Sequence, residues 1–421
     1  MTIYVFQFFL MALMVVVDLY LYQAIKLLYR NKSPQFRRTI NIVFWAITLF
    51  SVLTIIIAMI YPFYFWPPPV RNIIIAALTT LYATKAFPVI FMIVEDIVRG
   101  ITYLKRKWAS PAKSFDDEKY ESPNAISRSQ FILRTGFIAS LLPFAVHLYG
   151  VTRGGYDYTF IQKNIGIPGL PQEFDGLRVV QISDLHAGGF PFASSIDGVM
   201  EQINKYEPDI IFFTGDLVNQ LASEVDRFIP FLQKLKAPEG IFSVLGNHDY
   251  GEYLHWEEEE EQLRNARLIV EKQEQMGWQV LQNEHHIIER AGKKLAIIGV
   301  ENWSGIGRFQ QYGDVEKAAK GTEDSDTKFL LTHDPSHWEE KILKEHPEIE
   351  MTFAGHTHGM QFGSDHPRFT WSPVSYVYTY WFGHYIVQGQ QIYVNRGLGF
   401  TGFPGRIGMT PEITVLDFHR S

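Results

Sequence analysis

Four apolar stretches, at 3–25, 40–64, 72–98 and 131–150, each 20 residues or longer, occupy the first 150 residues of this 421-residue chain. A helix rising about 1.5 Å per residue needs about 20 residues to cross roughly 30 Å of hydrocarbon. Lipid offers backbone N–H and C=O groups no partner, so such a stretch crosses as a helix. Residues 1–150 are therefore expected to form an all-α transmembrane domain of four helices. The third stretch carries Lys85 and Pro88, and the fourth carries Arg134, Pro143 and His147. With no basic residue ahead of its apolar core and no small-residue cleavage site, the first stretch reads as a retained helix and not as a removable signal. Isolated in hydrocarbon, Asp18 and Lys85 would each cost roughly 2.5–3.5 kcal/mol. Pairing inside the bundle removes that cost; the alternative is that Lys85 snorkels and Asp18 lies near the boundary.

Charge is divided between the halves. Residues 1–150 carry 15 Lys and Arg against 7 Asp and Glu, and the remainder carries 23 against 38, which together give the net −7. An acidic second half argues against nucleic acid as a partner, because affinity for the phosphate backbone comes from Lys and Arg. The basic residues of the first half gather in two loops: Lys26, Arg30, Lys32, Arg37 and Arg38, and then Arg99, Lys105, Arg106, Lys107, Lys113, Lys119 and Arg128. The turn between the second and third stretches, around Trp66-Pro67-Pro68-Pro69, has only Arg71. The excess of positive charge on cytoplasmic loops then puts both basic loops inside. Four crossings leave the second half on the external face of a bacterial cytoplasmic membrane, periplasmic where an outer membrane exists. The stretch from Ser127 to Arg134 faintly resembles a twin-arginine export signal without its arginine pair.

After a linker at 151–174, residues 175–421 change character. Five polar blocks follow short apolar runs: SDLH (Asp184, His186), TGDLVN (Asp216), LGNHD (Asn247, His248, Asp249), LTHD (His333) and GHTH (His356, His358). The runs before them, such as 179–182, 210–213, 241–244, 329–331 and 349–353, are rich in β-branched and aromatic residues and read as buried strands. Each block thus falls at the carboxyl end of a strand, where α/β sheets place their sites. A site for two cations roughly 3.5–4 Å apart needs hard oxygens, imidazoles and one carboxylate able to bridge, and Asp216 is the natural bridge. In Asp184-x-His186 and His356-x-His358 the side chains stand two apart, which in extended backbone points both to one side. The chain has no cysteine, so a thiolate site is excluded and manganese, iron and zinc remain. A single block is equally what a core histidine or a turn would give. Five in order are not.

This ordered set resembles the calcineurin-like metallophosphoesterase superfamily over about residues 175–418. The resemblance implies an α/β fold, a four-layer β-sandwich flanked by helices. It implies two divalent ions, one held by Asp184, His186, Asp216 and His358, the other by Asp216, Asn247, His333 and His356. It implies attack on phosphorus by a hydroxide bridging those ions, with His248 as the histidine that contacts the scissile phosphate or protonates the leaving oxygen and Asp249 orienting it. The tail YVNRGLG (393–399) and the later FPGR (403–406) look most like the branch typified by bacterial YkuE and YaeI. Where that branch has GHTHGGQ this chain has GHTHGMQ, with Met360 in place of a glycine. Arg396 and Arg406 either clamp a phosphate or close the C-terminal sheet.

Helices are expected around 196–206, 224–236 and 257–276, and a hairpin from 278–290 and 294–300. The run from Glu257 to Glu261 reads as a solvated helix start, since glutamates there complement the helix dipole. His285, His286, His337, His366 and His384 read as surface or structural. The aromatic stretch from Trp371 to Tyr385 reads partly as core, partly as contact with lipid, because Tyr and Trp favour membrane interfaces. Together these point to a membrane-anchored phosphoesterase acting on a phosphoester or pyrophosphate of an amphiphile. One alternative is a cytoplasmic-face UDP-diacylglucosamine pyrophosphatase, which requires the inverted topology. The other is a non-catalytic sensor or scaffold, which a missing ligand would favour; none is missing.

Overall fold

The computed structural model describes residues 2–108, 128–307 and 309–421. Lys113 and Lys119 of the second basic loop and Ser127 of the export-like motif lie outside the described residues. The chain divides into two compact units, Met1–Trp66 with Ile73–Leu148, and Pro67–Asn72 with Tyr149–Ser421.

The first unit is built on helices α1 (Thr2–Leu28), α2 (Pro34–Ile60), α3 (Pro68–Trp108, entering this unit at Ile73), α4 (Arg128–Ala139) and α5 (Leu141–Tyr149). They form four stretches long and apolar enough to cross a membrane, the last counting α4 and α5 together. α2 begins six residues before the expected 40, because Ser33 caps it: its Oγ accepts the Phe36 amide at 3.3 Å and Pro34 occupies the first turn. α3 runs past the expected 98 with a polar end carrying Arg99, Lys105 and Lys107. The fourth stretch is broken at Ser140, since Pro143 has no amide and its ring crowds the carbonyl four residues earlier, that of Ala139. Phe residues 6, 8, 9 and 50 point outward and are more than half exposed. Inside, Leu21, Phe44 and Val89 pack together beside one polar group. Asp18 is fully buried and accepts from Lys85 Nζ at 2.7 Å, Thr48 Oγ1 at 2.6 Å and Tyr82 OH at 2.9 Å. The Asp18–Lys85 pair is therefore formed, and Lys85 does not snorkel.

The second unit is a four-layer sandwich. One sheet takes β1 (Thr159–Ile167), β2 (Leu177–Ile182), β3 (Ile210–Phe213), β4 (Ile241–Ser243), β5 (Gln279–Val280) and β14 (Glu412–Arg420), in the order β1-β14-β2-β3-β4-β5. The other takes β6 (Glu284–Arg290), β7 (Lys293–Gly299), β8 (Thr327–Leu331), β9 (Met351–Ala354), β12 (Gly383–Val387) and β13 (Gln390–Val394), in the order β12-β13-β9-β8-β7-β6. A small hairpin, β10 (Ser364–His366) with β11 (Phe369–Trp371), stands apart. Alternate residues explain the layers. Val179, Ile210 and Phe212 meet Phe329, Met351 and Phe353 between the sheets, with the Phe212 and Phe353 rings 4.7 Å apart. Val180, Ile182, Ile211 and Phe213 face the other way onto α6 (Asp197–Asn204) and α8 (Glu259–Gln275). On the far side of the second sheet Ile298, Leu330 and Ile392 cover Trp338 and Ile342.

Three expectations change here. The helix around 224–236 is reduced to a 3-10 turn, Ala222–Glu224, and one turn α7 (Ile229–Leu232). The expected hairpin keeps its antiparallel pair β6–β7, but 279–280 form β5, which pairs parallel to β4, so the chain changes sheets between them. The expected linker at 151–174 contains β1, paired with β14 along all nine residues. What positions the site is the parallel run: β2, β3 and β4 in one sheet, and β8, β9 and β13 in the other, end on the same side.

Candidate metal centre

Every polar block begins where one of those parallel strands stops. The backbone there turns sharply: Asp184, His186, Asp216, His356 and His358 all have φ between 46° and 71°. Such left-handed geometry costs about 1–3 kcal/mol per residue and persists where surroundings over-determine it. Close approach is enforced by glycine. A Cβ on Gly355 would lie 2.3 Å from Asp184 Oδ2, and one on Gly246 2.2 Å from Asp216 Oδ1.

The blocks converge on two adjoining groups. In the first, His358 Nε2 lies 3.3 Å from Asp184 Oδ1 and 2.9 Å from His186 Nε2, and His186 Nε2 lies 3.5 Å from Asp216 Oδ2. In the second, His333 Nε2 lies 3.2 Å from that same Asp216 Oδ2 and 3.1 Å from His356 Nδ1. Asp216 Oδ2 is therefore shared between them. Asp184, His186 and His358 bring their ligand atoms within 4.8 Å of one another, as do Asp216, His333 and His356, and also His186, Asp216 and His248. The remaining oxygen, Asp216 Oδ1, accepts the His248 amide at 2.9 Å.

The donor set fits divalent cations. Thr214 O can only accept, so His333, 2.7 Å away, carries a proton on Nδ1 and turns Nε2 inward. Asn247 Oδ1 is buried with no hydrogen-bond partner, a costly state unless something else takes its lone pair. Burial holds His186, His248 and His356 toward the neutral form. Asp184 and Asp216 stay ionised although burial opposes it, because imidazoles surround them. His333 goes the other way, pushed up to about 10 where the Asp216 carboxylate outweighs burial. Ionised carboxylates and inward ring nitrogens suit a hard or borderline cation, which would displace the second proton of His333 on binding.

His248 is set beside this cluster, edge-on to His186 at 4.7 Å and stacked on Tyr253 at 4.4 Å. Its Nδ1 donates to Asn219 O at 2.7 Å, which leaves Nε2 for a substrate. The expectation that Asp249 orients His248 does not hold. Asp249 instead accepts four amides, Gly246 and Asp216 on Oδ2 and Leu217 and Val218 on Oδ1, at 2.8–3.2 Å. It ties the β3 and β4 turns together, a positioning role. Arg396 and Arg406 are both buried. Arg396 is held by Glu412 at 2.6 Å and Asp365 at 2.5 Å, and Arg406 by the carbonyls of Arg396, Gly397 and Gly399 with His358 Nδ1 at 3.1 Å. Of their two readings, this geometry supports closing the C-terminal turns.

Two groups went unread in the sequence. Asp334, next to His333 in LTHD, lies 3.5 Å from His356 Nε2 and accepts from Tyr378 OH at 3.1 Å; its place in a polar block was the available signal. Glu224 accepts the Asn219 amide at 2.6 Å, with no local signature. In the aromatic stretch Tyr378 and Trp381 are buried, as the core reading expects, and Tyr376 is 79% exposed. Met360 has φ 52° and is more than half exposed.

A sandwich that brings two carboxylates and a ring of imidazoles to its strand ends, preceded by four membrane-length helices, defines a candidate metal centre in a membrane-associated chain. Residues 177–360 match the calcineurin-like phosphoesterase family, and residues 2–155 match the transmembrane domain of calcineurin-like phosphoesterases. The metallophosphoesterase YkuE of Bacillus subtilis (strain 168) is 32% identical over 253 residues, 58% of this chain and 80% of that protein. A metallophosphoesterase of Helicobacter pylori (strain J99) is 30% identical over 287 residues, 68% and 70% of the two chains. A zebrafish (Danio rerio) transmembrane protein with a metallophosphoesterase domain is 27% identical over 288 residues, 67% of this chain and 62% of its own length, so the match spans under two thirds of that relative. The chain belongs to the calcineurin-like metallophosphoesterase family.

Proposed function

We propose that this phosphoesterase acts outside the cytoplasm on a phosphoester or pyrophosphate borne by an amphiphile. The observation that carries the reading is the pair of donor groups sharing Asp216 Oδ2, in a chain with four membrane-length helices. Asp184, His186, Asp216 and His358 would hold one divalent ion and Asp216, Asn247, His333 and His356 the other. Bound there, such ions lower the pKa of water and neutralise charge on phosphoryl oxygens. His248, fixed by Asn219 O, presents Nε2 to contact the phosphate or protonate the leaving oxygen. Asp249 keeps the turns of Asp216 and Asn247 in register.

An amphiphilic substrate is favoured by the tether, which confines the site to the vicinity of a bilayer, and by apolar side chains after the His356–His358 motif. Met360, Phe362, Phe369 and Tyr376 are all more than 40% exposed. The external location is supported by the two basic loops.

The test is a screen of the purified full chain with added manganese against phospholipids, lipid-linked pyrophosphates and nucleotide diesters. Turnover of a lipid phosphoester or pyrophosphate well above that of nucleotide diesters is expected; hydrolysis confined to water-soluble esters would defeat the reading. Alkaline phosphatase fused after Ser421 should be active in a bacterial host, and a stable but inactive fusion would place the catalytic unit in the cytoplasm.

A further inference from the structure

The segment after His186 is almost without side chains of its own to hold it, since 187–189 read Ala-Gly-Gly. Gly188 cannot be larger: a Cβ there would lie 2.5 Å from Glu224 Oε2 and 2.7 Å from Asn219 Oδ1. Its carbonyls must therefore find donors elsewhere, and two arginines supply them. Arg227 donates to Ala187 O at 3.1 Å, to Pro191 O at 2.9 Å and to Phe190 O. Arg71 donates to Gly188 O, and the neighbouring Asn72 donates to Gly189 O. Arg71 is 8% exposed and Asn72 is likewise buried, which is costly for a guanidinium unless its donors are used.

The Glu224 carboxylate favours the charged form of both arginines. Glu224 accepts the amides of Asn219 at 2.6 Å and Gln220 at 3.4 Å, and Asn219 O is the acceptor that orients His248. Arg71 thus holds the turn that follows His186, and Gly188 of that turn packs against Glu224, the carboxylate that holds the loop behind His248. From Asn72 the chain runs directly into Ile73 and the rest of α3.

We propose that Arg71 is a positioning residue of the metal centre, holding the 187–189 turn against Glu224 so that His186 and His248 keep their places. The proposal rests on the assignment of His186 as a metal ligand.

The experiment uses the full chain in nanodiscs, comparing wild type with Arg71→Ala and Arg71→Lys. Mn(II) affinity is read from electron paramagnetic resonance, kcat and KM from an aryl phosphodiester, and Tm from thermal unfolding. Groups that orient a ligand change affinity or activity by about 10–100-fold when removed, so Arg71→Ala should weaken Mn(II) binding or lower kcat by about tenfold, with KM changed little. Added guanidinium should restore the Ala variant, while Arg71→Lys, which keeps the charge near Glu224 but not the planar fork, should fall between. Unchanged Mn(II) affinity and kcat in Arg71→Ala would overturn the proposal. So would a loss that follows a lowered Tm and is not restored by guanidinium. Wild type that binds no Mn(II) would instead defeat the metal-site reading beneath it.

Discussion

Two buried polar clusters, one among the membrane helices and one at the sandwich's strand ends, solve the cost of burying charge in opposite ways. Among the helices Asp18 meets three donors, Lys85, Thr48 and Tyr82, all within 2.9 Å. Its charge is balanced and its lone pairs are used, so the cluster is complete in the chain itself. At the strand ends Asp184 and Asp216 face imidazoles whose ring nitrogens lie as close as 2.9 and 3.1 Å to one another, and Asn247 Oδ1 has no partner. An unpaired buried acceptor amid inward ring nitrogens fits a site that a cation completes. The saturated cluster therefore reads as architecture and the unsaturated one as a binding site.

The sharpest way to break this contrast is Asp216→Ala. Removing the shared carboxylate should abolish turnover and strip the bound metal, measured by elemental analysis beside the hydrolysis rate. Enzyme that stays active with at most one ion per chain would show that the two groups are not one dinuclear centre.

His248→Ala separates chemistry from metal holding within the unsaturated cluster. General acid help is worth about 10²–10⁴-fold, so kcat should fall by that range while two ions per chain remain. If metal and activity disappear in parallel, His248 is a ligand and its assigned role is wrong.

The smallest effect tests the saturated cluster. Lys85→Met leaves Asp18 with two hydroxyls and no counter-charge, which should destabilise the bundle by roughly 2.5–3.5 kcal/mol, read from unfolding in mixed micelles. Because the pair does little beyond cancelling its own desolvation, Asp18→Asn with Lys85→Met should recover most of that loss, with metal content untouched throughout. A double variant no better than Lys85→Met would mean that Asp18 has a purpose other than pairing.

The limits of legibility follow from how far apart the interacting groups stand in the chain. Sequence alone determined what depends on neighbours or on plain length. Membrane crossings follow from apolar runs, and all seven candidate ligands follow from polar blocks set directly after strands. Asp18 and Lys85 were legible as a pair because hydrocarbon leaves isolated charges few other partners. Even so, the Ser33-Pro34 start of α2 was there to be read from the same local chemistry.

Tertiary structure alone decided what depends on distant backbone. The carboxylate of Asp249 serves the amides of 216–218 some 30 residues away and not the histidine beside it. β1 finds its partner at the far end of the chain in β14, and the change of sheet between β5 and β6 leaves no mark in the alternation of residues. Arg71 ends on a carbonyl 117 residues onward. Backbone carbonyls and amides are the same at every position, so a sequence shows which side chains can bond to them but not which ones folding will bring within reach.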